Sequence, residues 1–175
     1  MRLAIDAHAI GRHLTGNEVY IRSLLEAFAA KERHCELLAY VSSEQACRQI
    51  PANVRTRQIA ANPFVRLGLD LALKLRADRP DLLHVQYTAP LGCSVPIVVT
   101  VHDVSFLEHP EYFPRERALQ LQWTVRRTVR RASRILTVTE INSVAEGLPP
   151  FTEETRDRLR DRLTGSPAPV PEPTE

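Results

Sequence analysis

The chain has 175 residues, of which 43% are hydrophobic and 25% charged, the length and apolar fraction of one domain with a single core; a coiled coil, a collagen-like chain and a wholly disordered protein are excluded. With 23 basic and 21 acidic residues the net charge is only +2, too balanced by itself to point to a nucleic-acid or membrane partner. The three cysteines, Cys35, Cys47 and Cys93, lie far apart without a CxxC pair, which suggests neither a disulfide framework nor a zinc knuckle and fits a reduced cytosolic compartment.

The N-terminal run Leu3 to Ile5 reads as the first strand. Asp6 breaks it too early for a signal peptide, and no later run approaches the roughly 20 apolar residues of a membrane span, so the chain is expected to be neither secreted nor integral to a membrane. Gly16 to Ala30 carries Val19, Leu24, Leu25 and Phe28 at helical spacing and predicts a crossover helix. Strands follow at Leu37 to Val41 and, more weakly, Arg55 to Ile59; Phe64 to Arg79, with Leu67, Leu71 and Leu75 one turn apart, predicts a second crossover helix. Leu82 to Gln86, Ile97 to Val101 and Arg134 to Val138 are further strands. Between the last two, Ala118, Leu121, Val125, Val129 and Ala132 recur at three and four residues behind Pro114, which predicts a helix over Arg115 to Ser133. Short apolar runs alternating with helical segments specify an α/β fold, a doubly wound and mostly parallel, Rossmann-like sheet.

The pattern changes after Glu140. The expected division is one sheet domain over residues 1–140, a weakly helical stretch over 141–165 that follows the break at Pro149 and Pro150, and a proline-rich disordered tail over 166–175.

In a doubly wound sheet ligands bind beyond the carboxyl ends of the strands, so the segment after each strand is the place to look for chemistry. Asp6 to Gly16 offers Asp6, His8, His13, Gly11 and Gly16; Gln86, Tyr87 and Thr88 follow the fourth strand, His102 and Asp103 the fifth, and Thr139 and Glu140 the last. Gly11 and Gly16 ahead of a helix suit backbone approach to a phosphate at a helix N-terminus, or else relieve a tight turn; neither GxGxxG nor a P-loop is present. His102 beside Asp103 pairs an imidazole with a carboxylate able to orient a sugar hydroxyl or relay a proton, or the histidine simply caps a strand. As a metal site the segment lacks an HxxxH pattern and a cysteine partner, and no metal or cofactor is expected. Arg115 to Arg134 holds seven arginines and one glutamate, and the pairs Arg126/Arg130 and Arg127/Arg131 stand four apart. This run is a solvated helix face or an attraction for an anionic membrane or phosphorylated substrate; with few aromatics among the arginines, nucleic acid is not an expected partner.

Met1 to Ala7 running into Thr15-Gly16, then Asp81 to Tyr87, Val99 to Asp103 and Ile135 to Glu140, in that order and spacing, resemble the N-terminal domain of family 4 retaining glycosyltransferases with the GT-B fold. The resemblance implies an acceptor-binding lobe of an enzyme of carbohydrate biosynthesis. A nucleotide sugar is then the donor, a glycan or lipid-linked molecule the acceptor, and transfer takes place in a cleft against a donor-binding lobe. It places Gly16 toward the donor diphosphate, His102 and Asp103 at the transferred sugar, and Gln86, Tyr87 and Glu140 on the acceptor side. It also likens the arginine helix, through Arg126, Arg127, Arg130 and Arg131, to helices that attach some members to the inner face of a membrane. Asn17-Glu18-Val19 departs from the family's second glycine and basic residue after Gly16. Beyond Glu140 the family's second Rossmann domain is not matched, which predicts a truncated gene or a half-enzyme needing a donor lobe in trans. The alternative is a non-catalytic module that docks on an anionic membrane or a partner lobe through the arginine helix.

Overall fold

A computed structural model describes residues 1–12, 15–31 and 35–137. The expected segments 141–165 and 166–175 lie outside the described residues, as do Val138, Thr139 and Glu140.

Six strands, β1 (Arg2–Asp6), β2 (Glu36–Val41), β3 (Arg55–Gln58), β4 (Leu82–Gln86), β5 (Ile97–Val101) and β6 (Arg134–Thr137), form one sheet in the order β3-β2-β1-β4-β5-β6. Every adjacent pair is parallel. The chain winds outward from β1 to β3, crosses back to β4 and winds outward again, so the order reverses between β1 and β4, and it is beyond the carboxyl ends at such a switch point that doubly wound sheets bind ligands.

Pleating sends alternate residues of each strand to opposite layers. Ala4, Leu38, Tyr40, Leu83, Val85, Val99 and Val101 share a core with Leu71 and Leu75 of α4 (Leu71–Asp78) and with Val125 and Val129 of α6 (Arg115–Arg131). Leu3, Ile5, Leu37, Ala39 and Val41 face the other way, onto Ile21 and Leu25 of α1 (Thr15–Lys31). β1 and β2 are therefore covered on both faces, which is why they read as unbroken apolar runs. β3 and β6 end the order as edge strands, and Arg55 and Arg57 of β3 pair with Glu36 and Asp78; charge along an edge discourages pairing with another chain.

Short helices α2 (Glu44–Cys47) and α5 (Ser105–Glu108) and a 3₁₀ turn over Pro110–Tyr112 add connections that carry no long periodic signal. Two expectations need correction. On α1 the inward stripe runs through Ile21 and Leu25, flanked by Leu24 and Phe28, while Val19 is 63% exposed; two residues turn a helix by about 200°, so Val19 and Ile21 cannot share a face. The crossover predicted as one helix over Phe64 to Arg79 is broken into α3 (Pro63–Val65), a π turn over Arg66–Asp70 and then α4. The π turn shifts the phase of the apolar stripe, so Leu71 and Leu75 are buried but Phe64 is exposed.

Candidate functional site

Asp6 is the last residue of β1, held there because the following amide, of Ala7, donates to Tyr40 O of β2 at 2.8 Å. Asp6 is 1% exposed; its Oδ1 accepts the His8 amide at 3.2 Å, lies 3.0 Å from His8 Nδ1 and stands 3.9 Å from Arg66 Nη1. Burial works against the charge, but the charges of His8 and Arg66 and the hydrogen bonds from His8 outweigh it and hold the carboxyl down at about 2.

On the α1 side of β4 and β5 the pleat presents polar residues where β1 and β2 present apolar ones. His84 and Gln86 alternate with the core residues Leu83 and Val85, and Gln86 is in register with Thr100. Thr100 Oγ1 lies 2.9 Å from His84 Nε2 and 2.9 Å from the hydroxyl of Tyr20, which reaches down from α1. Burial pushes His84 down to about 4, so its imidazole is neutral near pH 7. Just beyond β5, His102 Nε2 stands 2.6 Å from Gln86 Oε1, and the Tyr20 ring meets the imidazole edge-on with centroids 4.8 Å apart. Burial lowers the His102 pKa, an effect that the neighbouring Asp103 charge only partly offsets. Tyr20 is thus one side chain touching both halves of the network.

Tyr87, the residue after β4, has φ +58, a left-handed conformation unusual for a non-glycine residue. Its amide still donates to Thr100 O at 2.9 Å, and its hydroxyl donates to Asp103, which also accepts from the hydroxyl of Ser105 and, at 3.0 Å, from its amide. Burial opposes the Asp103 charge, but these hydrogen bonds prevail and lower its pKa; burial and the same partner raise the Tyr87 phenol. Strain of this kind costs about 1–3 kcal/mol and persists where the surroundings hold it. Here the Thr100 and Asp103 contacts do so.

The loop after β1 closes on α1 through Glu18. Its Oε1 accepts the Gly11 amide at 3.0 Å and pairs with Arg22 at 2.8 Å, so the carboxylate after Gly16 is engaged with the loop. Gly11, at φ +76, is the glycine the turn requires. Gly16 lies in the first turn of α1, and a Cβ there would meet nothing within 4 Å, so contacts among the described residues do not demand a glycine. Amides in a first helical turn lack partners within the helix and favour an anion.

The four arginines singled out on α6 divide. Arg127 donates to Ala89 O and, at 3.5 Å, to Pro90 O, and it lies over Trp123 with 5.8 Å to the ring centroid; Arg131 donates to Cys93 O at 2.9 Å. With the buried Thr128 hydroxyl accepting the Ala89 amide at 2.9 Å, these residues clamp the segment that follows Tyr87. Arg126 and Arg130 are exposed, as is Arg131 despite its bond to Cys93 O, while Arg127 is half-buried. His109 stacks on Tyr112 and pairs with Glu111, apart from this cluster.

The carboxyl edge of the sheet therefore gathers Gln86, Tyr87, His102 and Asp103, joined by the Gln86–His102 and Tyr87–Asp103 hydrogen bonds and by the tilted contact of the Tyr87 and His102 rings, 5.6 Å between centroids, with Asp6 and His8 at the end of the neighbouring strand β1. Glu140, the remaining residue expected on the acceptor side, lies outside the described residues. Tyr20 and Arg66 escaped the sequence reading. Tyr20 lies beside the apolar stripe of the predicted helix without belonging to it, and Arg66 is one of three charged residues, with Asp70 and Lys74, in the otherwise apolar stretch Phe64 to Leu75, so neither stands out in the sequence. Among the described residues no three His, Cys, Asp or Glu side chains are grouped so as to hold a metal ion, and no helix is long and apolar enough to cross a membrane.

Residues 14–142 match the family model Glycosyltransferase Family 4. No curated protein matches the chain.

Proposed function

The chain belongs to glycosyltransferase family 4, and on that premise we propose that it provides the acceptor side of a retaining, GT-B-type sugar transferase, working against a donor-binding lobe. The observation that carries this reading is the convergence of Gln86, Tyr87, His102 and Asp103 at the point where the strand order of a doubly wound sheet reverses, inside the region matched by the family model. The donor is a nucleotide sugar, and the acceptor a glycan or lipid-linked hydroxyl compound. The bond from the anomeric carbon to the diphosphate breaks, the diphosphate leaves with the electron pair, the acceptor oxygen bonds to the same face of the sugar, and the acceptor's proton passes to the leaving diphosphate. No cofactor or metal takes part. The neutral, half-buried His102 ring offers a hydrogen bond to the transferred sugar, and Asp103 fixes Tyr87 beside it. First-turn amides at Gly16 face the leaving diphosphate, whose charge needs preorganised donors. Gln86 and Tyr87 border the acceptor.

The test combines the purified chain with a family donor-binding lobe and measures release of nucleoside diphosphate from nucleotide sugars in the presence of glycan and lipid-linked acceptors. Release that needs both parts supports the assignment. Equal turnover by the chain alone would overturn the division of labour, and absence of release with every donor and acceptor would overturn the reading itself.

A second reading draws on α6. Leu119, Trp123, Arg126 and Arg130 recur at four, three and four residues, and all are exposed, Trp123 by 61%. An aromatic among arginines along one helix stripe suits the surface of an anionic membrane, where the ring sits at the headgroup level. This is compatible with sugar transfer to a lipid-linked acceptor and also with a purely docking module.

A further inference from the structure

We infer that Arg66 is a receptor for an anionic group, a phosphate or a carboxylate, on the acceptor molecule; this rests on the acceptor-side reading above. Arg66 is 5% exposed, and two of its donor nitrogens, Nε and Nη1, are enclosed by protein without a hydrogen-bond acceptor. Buried polar groups are hydrogen-bonded in the great majority of cases, and a buried guanidinium has more to lose than most because its five N–H donors bear a full charge. The neighbouring carboxylate does not meet the need. Asp6 Oδ1 stands 3.9 Å from Nη1, too far for a hydrogen bond, and that oxygen already accepts from the His8 amide and lies against His8 Nδ1.

Charge points the same way. Arg12 lies close enough for its charge to act on Arg66, so two guanidinium groups are set against the single carboxylate of Asp6. Arg12 itself is exposed and donates to Ala61 O at 3.4 Å, which places it over the loop leading into the Arg66 segment. A guanidinium fork matches the spacing of phosphate and carboxylate oxygens, and two parallel N–H···O⁻ bonds are among the stronger contacts available to a protein.

Backbone and position add two further observations. Arg66 is the first residue of the π turn Arg66–Asp70, and single π turns inside helices are found frequently at functional sites. Its guanidinium lies at the carboxyl end of β1, one strand from the Gln86–His102 group, so a molecule anchored there by its anion reaches toward that group from the β1 side. Neutralising the anion buried against Arg66 leaves a hydroxyl elsewhere on the acceptor as the group to be glycosylated.

The purified full chain titrated calorimetrically with inorganic phosphate and, separately, with acetate, at constant ionic strength, tests the assignment. Saturable binding of either anion with one site per chain is expected, weakened at least tenfold in Arg66→Met and a few-fold in Arg12→Gln. Arg66→Lys, which keeps the charge but loses the fork, should fall between wild type and Arg66→Met, and it answers the question if the methionine variant does not fold. Neither anion binding to the folded wild type, or Arg66→Lys and Arg66→Met binding as wild type does, would overturn the proposal. A sugar phosphate should bind the Arg66 site more tightly than inorganic phosphate does and a nucleoside diphosphate should not; tighter binding of the nucleoside diphosphate, lost in Arg66→Met, would assign the site to the donor and overturn the acceptor assignment. No sugar transfer is needed for the measurement, so loss of this site leaves the transfer reading standing, and failure of transfer leaves the anion measurement intact.

Discussion

Gln86 Oε1 stands 2.6 Å from His102 Nε2, and because an amide oxygen can only accept, the imidazole carries its proton on Nε2 and presents Nδ1 as an acceptor. A sugar hydroxyl can donate to Nδ1 of that tautomer. Gln86 is therefore a positioning residue acting through His102. Its partner assignment rests on the backbone, since Gln86 lies beside Thr100 in the β4–β5 register and His102 is two residues further along the same face.

The first prediction concerns that tautomer. Nitrogen NMR of the free chain should show His102 protonated on Nε2, with a titration midpoint below the ordinary histidine value. Gln86→Glu should raise that midpoint by about 1–2 units, because a carboxylate in place of the amide favours the imidazolium. An unchanged midpoint would show that the two side chains do not interact in solution.

Loss of the imidazole itself is the second. In a transfer assay with a donor lobe present, His102→Ala should slow transfer about 10²-fold or more, as removal of a positioned polar contact does. His109→Ala, which removes only the exposed contacts with Tyr112 and Glu111, should transfer at nearly the wild-type rate. Thermal midpoints measured on both variants separate a lost contact from a lost fold. Equal transfer rates would remove His102 from the site.

Tyr20 provides the third. Tyr20→Phe deletes one hydroxyl bonded to Thr100 and should cost about 1 kcal/mol, whereas Thr100→Val strands both His84 and Tyr20 and should cost about 1–3 kcal/mol. Urea unfolding of the two variants gives the comparison. If Thr100→Val were no worse than Tyr20→Phe, the threonine would not bridge the two rings.

Stability against pH is the fourth. His84 binds its proton near the usual 6.5 when unfolded and near 4 when folded, so between these values the unfolded chain takes up more protons and folding weakens as pH falls. The loss approaches about 3 kcal/mol once pH is below 4, and His102, shifted in the same direction, adds to it. Asp6, lowered from 3.8 to about 2, contributes stability present above 3.8 and lost only as pH falls toward 2. Unfolding free energies of wild type and His84→Gln from pH 7 to pH 4 should diverge in slope, with the variant flatter. Parallel curves would mean that His84 takes up its proton alike in the folded and unfolded chains.

The arginine helix separates into structural and surface residues, and this gives the fifth. Arg127→Met removes the donors to Ala89 O and Pro90 O and should destabilise by about 1–3 kcal/mol, while the exposed Arg126→Ala stays within about 0.5 kcal/mol of wild type. In sedimentation with vesicles, Arg126→Ala and Trp123→Ala should weaken binding to anionic lipid, and added salt should weaken it further. Wild type that sediments equally with anionic and neutral vesicles would remove the membrane reading.

The sequence by itself determined the strands and the winding. The run Leu37 to Val41 is apolar on both faces because both faces are covered, and only a sheet between two helical layers demands that; the structure places Leu82 to Gln86 and Ile97 to Val101 at the predicted bounds. It also indicated which segments bear polar residues, since each follows a strand and strand ends share one edge of a parallel sheet. What it could not contain is which of those residues meet. Tyr20 and Thr100, eighty positions apart, touch only because α1 packs on the sheet beside β5, and Arg66 comes to Asp6 only because the chain leaves β3 at the edge and returns through a π turn. Local periodicity records which face of an element is buried. The partner on that face, and whether a buried arginine finds an acceptor there, is set by the packing of elements far apart along the chain, so the polar network became legible only in the tertiary structure.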